Sequence, residues 1–296
     1  MRNKAFITNY YLMLIPGMIL LVMFSFVPLF GIAIAFENFN AGLGIWRSEW
    51  VGLDNFTYMF QLSDSRVIFM NTIYLAVMKI IANLIVPLIF ALLLNEVRKM
   101  AFKRFVQTIV YLPHFLSWVI LAGIVTDMFS YHGIVNQFFG VFGFKPVLFL
   151  ASNTWFPGIL VGSDVWKEFG FNTIIYLAAL TGINPSLYEA AAIDGAGRAK
   201  QLWHVTLPGI KPTIVLLATL SLGNVLNAGF DQIYNMYNPL VYSSSDIIDT
   251  YVYRVGLLNV QYGLATAVGL LKSVVSLLLI GVSYTLASKF ANYRIF

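Results

Sequence analysis

The sequence contains no cysteine, which excludes a disulfide framework, a thiol nucleophile and thiolate metal coordination. Charge is nearly as scarce. Asp, Glu, Lys and Arg make up 10% of the 296 residues, against about 25% in an average soluble domain. The three histidines, His114, His132 and His204, have no spacing that would join them as metal ligands. No GxSxG or HExxH run occurs, so neither a nucleophile elbow nor a zincin site is expected. "GAGRAK" (195–200) lacks the third glycine of GxGxxG and the GK[ST] ending of a Walker loop, and "GLLKS" (269–273) lacks the upstream glycine. Both read as structural. An intramembrane enzyme, the rival class, would need carboxylate or metal constellations that are missing here.

What is present is apolar: 59% of the residues are hydrophobic. A soluble chain of this size has no use for so much apolar surface, and the excess is expected to face lipid. Six segments reach the roughly 20 residues that a bilayer core requires: 10–36, 71–94, 105–129, 158–182, 212–237 and 264–288. The first runs 27 residues without a charge. A signal-peptide core is about 7–15 residues, so this run reads as a retained span. The expected fold is all-α, an integral membrane protein of six helices, with residues 1–9 as a cytoplasmic N-terminus and 10–296 as one transmembrane domain.

The basic residues set the orientation. With the N-terminus inside, eleven Lys and Arg fall in cytoplasmic segments and four in outer ones. Cytoplasmic connections are the ones enriched in such residues, so both termini are expected inside. The formal charge of +5 then reports membrane orientation rather than nucleic-acid binding. The outer connections carry Trp46, Trp50, Tyr58 and Trp155, suited to the headgroup interface of the surrounding lipid.

One cytoplasmic connection, 183–211, interrupts the apolar pattern with "EAAAIDGAGRAKQLWHVTLPGIKP" (189–212). Asn184 caps a helix with Pro185 at its first position, or Ser186 caps it with Glu189 as a capping box. Gly195 and Gly197 permit a sharp bend after Asp194. Arg198 to Thr206 forms a second short helix. Leu207 before Pro208 is biased out of the helical region, and Pro212 suits the first turn of the fifth span. The product is an elbow along the cytoplasmic face, its backbone left accessible by three alanines. It is either a docking knob for a cytoplasmic protein or an amphipathic loop resting on headgroups.

Glu189, Ala190 and Ala191, then Asp194 and Gly195, then Leu207 and Pro208 resemble the EAA loop of type I ABC importer permeases. Trp203 and Val205 stand where that family usually has Phe and Ile. The likeness continues in "WVGLDNF" (50–56), similar to a sugar-permease signature, and in "YLPHFLSWVILAGI" (111–124) and "YGLATAVGLLKSV" (262–274). "SDVWKEFGF", "LNAGFDQIYNMYNPLVY" and "DIIDTYVYRVGL" resemble the subgroup importing oligosaccharides and polysaccharide fragments, which includes alginate importers. The resemblance implies a permease subunit, itself no enzyme and binding no cofactor, in a bacterial plasma membrane. Its implied partners are a second homologous permease, two ATP-binding cassette subunits that hydrolyse ATP with Mg, an extracellular solute-binding protein and a sugar. The elbow would be the coupling helix that docks on an ATPase. The same machine for another solute is the nearest rival.

Ionisable residues inside spans usually face a bundle interior or a wet cavity. Lys79 and Lys272 lie about 12 Å inward from the outer ends of their helices, and Asp164, Lys167 and Glu168 about 21–27 Å outward from Gly182. All five, with Asp231, share the outer half. They neutralise one another between helices, or line a polar vestibule for a hydroxyl-rich solute; the two accounts are compatible. At about 100° per residue Asn224, Asn227 and Asp231 fall in one 60° arc of the fifth span, either a hydrogen-bonding stripe for sugar or interhelical glue. Trp166 is placed to stack on a sugar ring or to sit at the interface.

Overall fold

Helix dominates because long Leu, Ile, Val and Phe runs in lipid leave each backbone amide no partner outside its own segment. The computed structural model describes the backbone of residues 2–291 and the side chains of residues 8–285. In chain order the first elements are α1 (Arg2–Leu21), the strand pair β1 (Glu37–Asn38) and β2 (Glu49–Trp50), α2 (Asp54–Gln61) and α3 (Ser63–Asn95). Next come α4 (Met100–Tyr111), α5 (Trp118–Met128), α6 (Ile134–Val141), α7 (Phe156–Thr181), α8 (Pro185–Ile193) and α9 (Arg198–Gln201). The last are α10 (Leu207–Leu222), α11 (Phe230–Met236), α12 (Tyr242–Ser245), α13 (Ile248–Tyr253) and α14 (Tyr262–Ala291).

Among the described residues, four helical stretches are long and apolar enough to cross a bilayer: Thr8–Phe36, Ser63–Asn95, Arg198–Leu222 and Tyr262–Thr285. A fifth is reached if the bent pair Met100–Phe115 and Trp118–Met128 is one span. The fourth expected segment exists as the 26-residue α7. It stands outside the apolar set because every stretch of it long enough to span contains Asp164, Lys167 and Glu168.

Three local expectations need correction. The third segment, 105–129, is not straight: a turn at Leu112–Phe115, containing Pro113, ends the first arm, and the chain bends by 105° before α5. Leu116 is extended, and Ser117 caps α5 by accepting from the amide of Ile120. The fifth segment, 212–237, is two helices, because α10 stops at Leu222 and α11 starts only after Gly229, whose φ of +93° ends helical continuity. Finally, Arg198–Thr206 is no separate helix. A π-type turn over Leu202–Thr206, in which Leu207 donates to the carbonyl of Leu202, leads directly into α10. This wider turn makes room for the ring of Pro208, so the helix passes through both Pro208 and Pro212.

The chain forms two compact units, Met1–Ser65 with Tyr251–Lys272, and Arg66–Thr250 with Ser273–Phe296. In the first, "WVGLDNF" is used in packing. Trp50 stacks on Phe36 with centroids 5.5 Å apart, Phe56 tilts onto the same ring at 5.4 Å, and the amide nitrogen of Asn55 donates to the carbonyls of Ala35 and Glu37 at 3.0 Å each. In the second, Leu75, Phe156, Leu160, Ala228, Ile233 and Ile247 anchor a buried apolar cluster. A smaller cluster of Ala91, Tyr176, Leu180 and Ile210 packs near the elbow, against Ile183 and Leu207. Gly170 of α7 is required by contact: a side chain there would collide with the carbonyl of Val110 on α4.

Candidate functional site: an exposed elbow and a buried polar cluster

The elbow is built by local chemistry. Asn184 caps α8, its side-chain oxygen accepting from the amide of Ser186 at 3.1 Å, with Pro185 at the first position. At the other end Ala196 donates to the carbonyl of Ala191 at 2.8 Å and Gly195 to that of Ala192 at 3.1 Å, while Gly195 has φ +74°. This is a Schellman stop, and glycine adopts its left-handed residue without strain. Gln201 then donates to the carbonyl of Ala196 at 3.1 Å and closes the bend.

Two ties hold the elbow to its surroundings, one from α8 and one from α9. The Tyr188 hydroxyl lies 3.0 Å from the Thr206 hydroxyl, and Arg198 reaches Glu96 at the end of α3 at 3.7 Å. The second pair is exposed and contributes little. A cavity of about 490 Å³ opens between these elements, lined by Leu92, Glu96, Tyr188, Arg198 and Leu202 among others. The outward face of α8 is free: Glu189, Ala190, Asp194 and Gly195 are exposed, Ala191 is half-buried, and Ile193 is 87% exposed. Leu207 is half-buried and Pro208 exposed.

Four of the charges expected within spans, Lys79, Asp164, Lys167 and Glu168, are paired in two groups, both in the second unit. Lys79, 6% exposed, lies 3.5 Å from Asp164, donates to the carbonyl of Ala228 at 2.6 Å and also bonds Gln232. Asn83 donates to Asp164 at 2.7 Å. Gln232 is fully buried and donates to the carbonyl of Leu160 at 2.7 Å and to Ser163 at 2.8 Å. Lys79 thus caps the last residues of the broken segment 223–229. A side chain at Gly229 would sit 2.9 Å from its ammonium nitrogen.

The second group joins α7 to the turn before α5. Lys167 donates to the carbonyl of His114 at 2.6 Å, lies 3.5 Å from Glu168 and sits over the Trp118 ring at 5.9 Å. Glu168 in turn meets Nδ1 of His114 at 2.7 Å, and that imidazole stacks on Phe171 at 4.0 Å. Mutual neutralisation accounts for Lys79, Asp164, Lys167 and Glu168.

Asn224, Asn227 and Asp231 do not form the expected arc, because residues 223–229 are not helical. The two asparagines still meet, Asn227 donating to the side-chain oxygen of Asn224 at 3.2 Å. Both are exposed, as is Asp231 in the first turn of α11. Trp166 is 39% exposed and lines a largely apolar groove of about 560 Å³ with Val125, Phe129, Trp155, Gly158 and Gly162. Sequence reasoning missed Gln232, Asn83 and Ser163. A buried glutamine beside an exposed aspartate carries no periodic signal, and its partners lie 69 to 153 residues away.

Residues 83–292 match the family described as the binding-protein-dependent transport system inner membrane component. Protein LplB of Bacillus subtilis (strain 168) is 43% identical over 97% of this chain and 90% of its own length. The polygalacturonan/rhamnogalacturonan transport system permease protein YteP of the same organism is 42% identical over 97% and 89%. A bacterial alginate ABC transporter, solved in complex with an alginate pentasaccharide-bound periplasmic protein, has a chain 36% identical to this one. It superimposes with a TM-score of 0.90 over 99% of both chains. With the matched stretch running from α3 to the last residues, and near full-length identity above 40% to two relatives, the chain belongs to the family of binding-protein-dependent transport inner membrane components.

Proposed function

We propose that this chain is the permease subunit of a bacterial ATP-driven importer for an oligosaccharide or polysaccharide fragment, and that it has no enzymatic activity of its own. The observation that carries the reading is the near full-length likeness to the alginate transporter chain, at 36% identity. In this reading α7 is a sixth span whose charges are paired against other helices, and both termini are cytoplasmic. Eleven basic residues against four support that orientation. The exposed face of α8, with Glu189, Ala190, Ala191, Asp194 and Gly195, docks on one of two ATPases, and Leu207 and Pro208 continue that contact into the α10 rod. A second permease completes the pathway, and a solute-binding protein delivers the sugar from outside.

The break at 223–229 supports a place in the solute route for Asn224, Asn227 and Asp231, since irregular backbone at membrane depth is tolerated where it is buried in protein or lines a wet cavity. Asp164, Lys167 and Glu168 form the wall behind them, and Trp166 offers an aromatic face. Uptake of labelled oligosaccharide by proteoliposomes holding the whole transporter and its loaded binding protein tests both statements. Accumulation should require ATP, and Asn227→Ala should raise the half-saturating sugar concentration without changing assembly yield. ATP-independent uptake would overturn the importer reading. Unchanged half-saturation for alanine at Asn224, Asn227 and Asp231 alike would remove this segment from the route.

A further inference from the structure

Between α5 and α7 the chain packs inside out. The buried side chain of α6 is a polar one, Asn136, whereas Phe138, Val141, Phe142, Phe144 and Leu148, in this helix and just after it, are 60–83% exposed. Specific contacts hold the arrangement. Asn136 donates to the carbonyls of Ser130 and Val147 at 3.0 and 2.9 Å, and its side-chain oxygen accepts from the Val147 amide at 2.9 Å. The returning chain is thereby stapled to the root of α6, after Gly143 turns it with φ +82°. Phe138 packs on Phe142 with ring centroids 5.3 Å apart, and Phe139 on Phe144 at 6.1 Å. At the root, a side chain on Gly133 would collide with the carbonyls of Asp127 and Met128, so the aromatic tip is tied closely to the end of α5.

A contiguous apolar patch of this kind marks an interaction surface, and its chemistry selects the occupant. From Met128 to Ser163 the sequence holds no Asp or Glu and a single Lys or Arg, Lys145, which is exposed among the apolar side chains. A protein that docks and leaves meets a surface about as polar as any other, yet residues 138–148 offer no polar side chain except Lys145. A permanent protein partner would have to cover that ammonium, and the cores of such interfaces are depleted in lysine. A phospholipid surface satisfies both. Phe and Leu enter the acyl boundary, while a lysine stem lies along them and its head reaches the anionic phosphates. Tyr131 and Trp155, exposed on either side of the segment, are the ring types that gather at headgroup level. The segment also links two helices of a chain whose family belongs to the inner membrane, so a bilayer surface lies within reach.

We propose that residues 134–148 form an interfacial anchor, with the Phe138–Phe144 tip seated where headgroups meet acyl chains and Lys145 paired with lipid phosphate. The basic-residue count puts it on the outer leaflet. The anchor pins the corner after α5, and with it the second arm of the helix pair bent by 105°, to the bilayer surface. It rests on membrane placement and not on the identity of the solute.

The test uses the whole transporter in bilayers of phosphatidylethanolamine and phosphatidylglycerol, with its binding protein present. Phe142→p-benzoylphenylalanine should give, on illumination, an adduct of this subunit with one phospholipid. An adduct with the second permease or with the binding protein, or no lipid adduct, overturns the anchor. If that variant fails to assemble, Val141→Cys carrying a nitroxide gives a second reading, with the unsubstituted transporter, labelled alike, as background. Its collisions with oxygen should exceed those with a water-soluble nickel chelate, and the reverse order overturns the anchor. Adding Lys145→Glu should shift the nitroxide toward water, and an unchanged ratio of collisions overturns the phosphate contact. Neither readout involves sugar, so the anchor and the importer reading fail separately.

Discussion

Lys79 is a buried charge that joins α3 to α7 and to the start of α11. Its ammonium serves Asp164, the carbonyl of Ala228 and Gln232 at once. Asp164 by contrast also has Asn83 and retains 17% of its side-chain surface. Breaking a buried pair from one side strands the other charge, at about 3–5 kcal/mol, but the two partners are not equivalent here. Lys79→Met leaves a carboxylate, a carbonyl and an amide oxygen short of a donor, whereas Asp164→Asn leaves Lys79 with two acceptors. Lys79→Met should therefore lower the melting temperature of the purified transporter clearly more than Asp164→Asn, and the double variant should recover part of the loss. Equal effects of the two single changes would contradict this division.

At the scale of elements, the elbow was legible in the sequence and the breaks were not. The Asn184 cap, Pro185, and Gly195 as a left-handed stop all act within a few residues, so spacing alone reveals them. The break at 223–229 rests on Gly229 in a left-handed conformation and on a lysine 149 residues away that binds the carbonyl of Ala228, and it was missed because Val225, Leu226 and Ala228 continue the apolar period. The opposite error occurred at Pro208, where two prolines argued for a helix boundary and a π turn absorbed one instead. The pathway residues inherited the first error: three polar positions computed onto one helical face lie on a corner and a new helix. The proposed cytoplasmic placement of the elbow is open to a direct check, since the sequence has no cysteine. A cysteine at the exposed Ser63 should react with an impermeant thiol reagent from outside intact cells, and one at the exposed Ala199 should react only after the membrane is opened. The reverse labelling would put the elbow outside and remove its ATPase partner.

For the whole molecule, family membership and architecture agree on a division of labour. In the proposed reading the energy for transport enters through a docked ATPase. In this reading the exposed α8 makes that contact; it is capped by Asn184 and stopped at Gly195, and the bend after it leads through the continuous helix Arg198–Leu222 to the broken segment beside Lys79. In the same reading a pull on α8 acts on the helix Arg198–Leu222, whose far end is the polar corner. Gly195 is the point where this linkage is most easily damaged without unfolding. A Cβ there meets nothing within 4 Å beyond its chain neighbours, so the main cost of a larger residue is the left-handed strain, about 1–2 kcal/mol for an ordinary side chain and more for a β-branched one, while the path of the elbow changes. The most direct measurement is ATP-driven accumulation of oligosaccharide by the reconstituted transporter carrying Gly195→Val in this subunit. The account predicts normal membrane insertion and assembly with accumulation lost or reduced at least about tenfold, and accumulation at the native rate would contradict it.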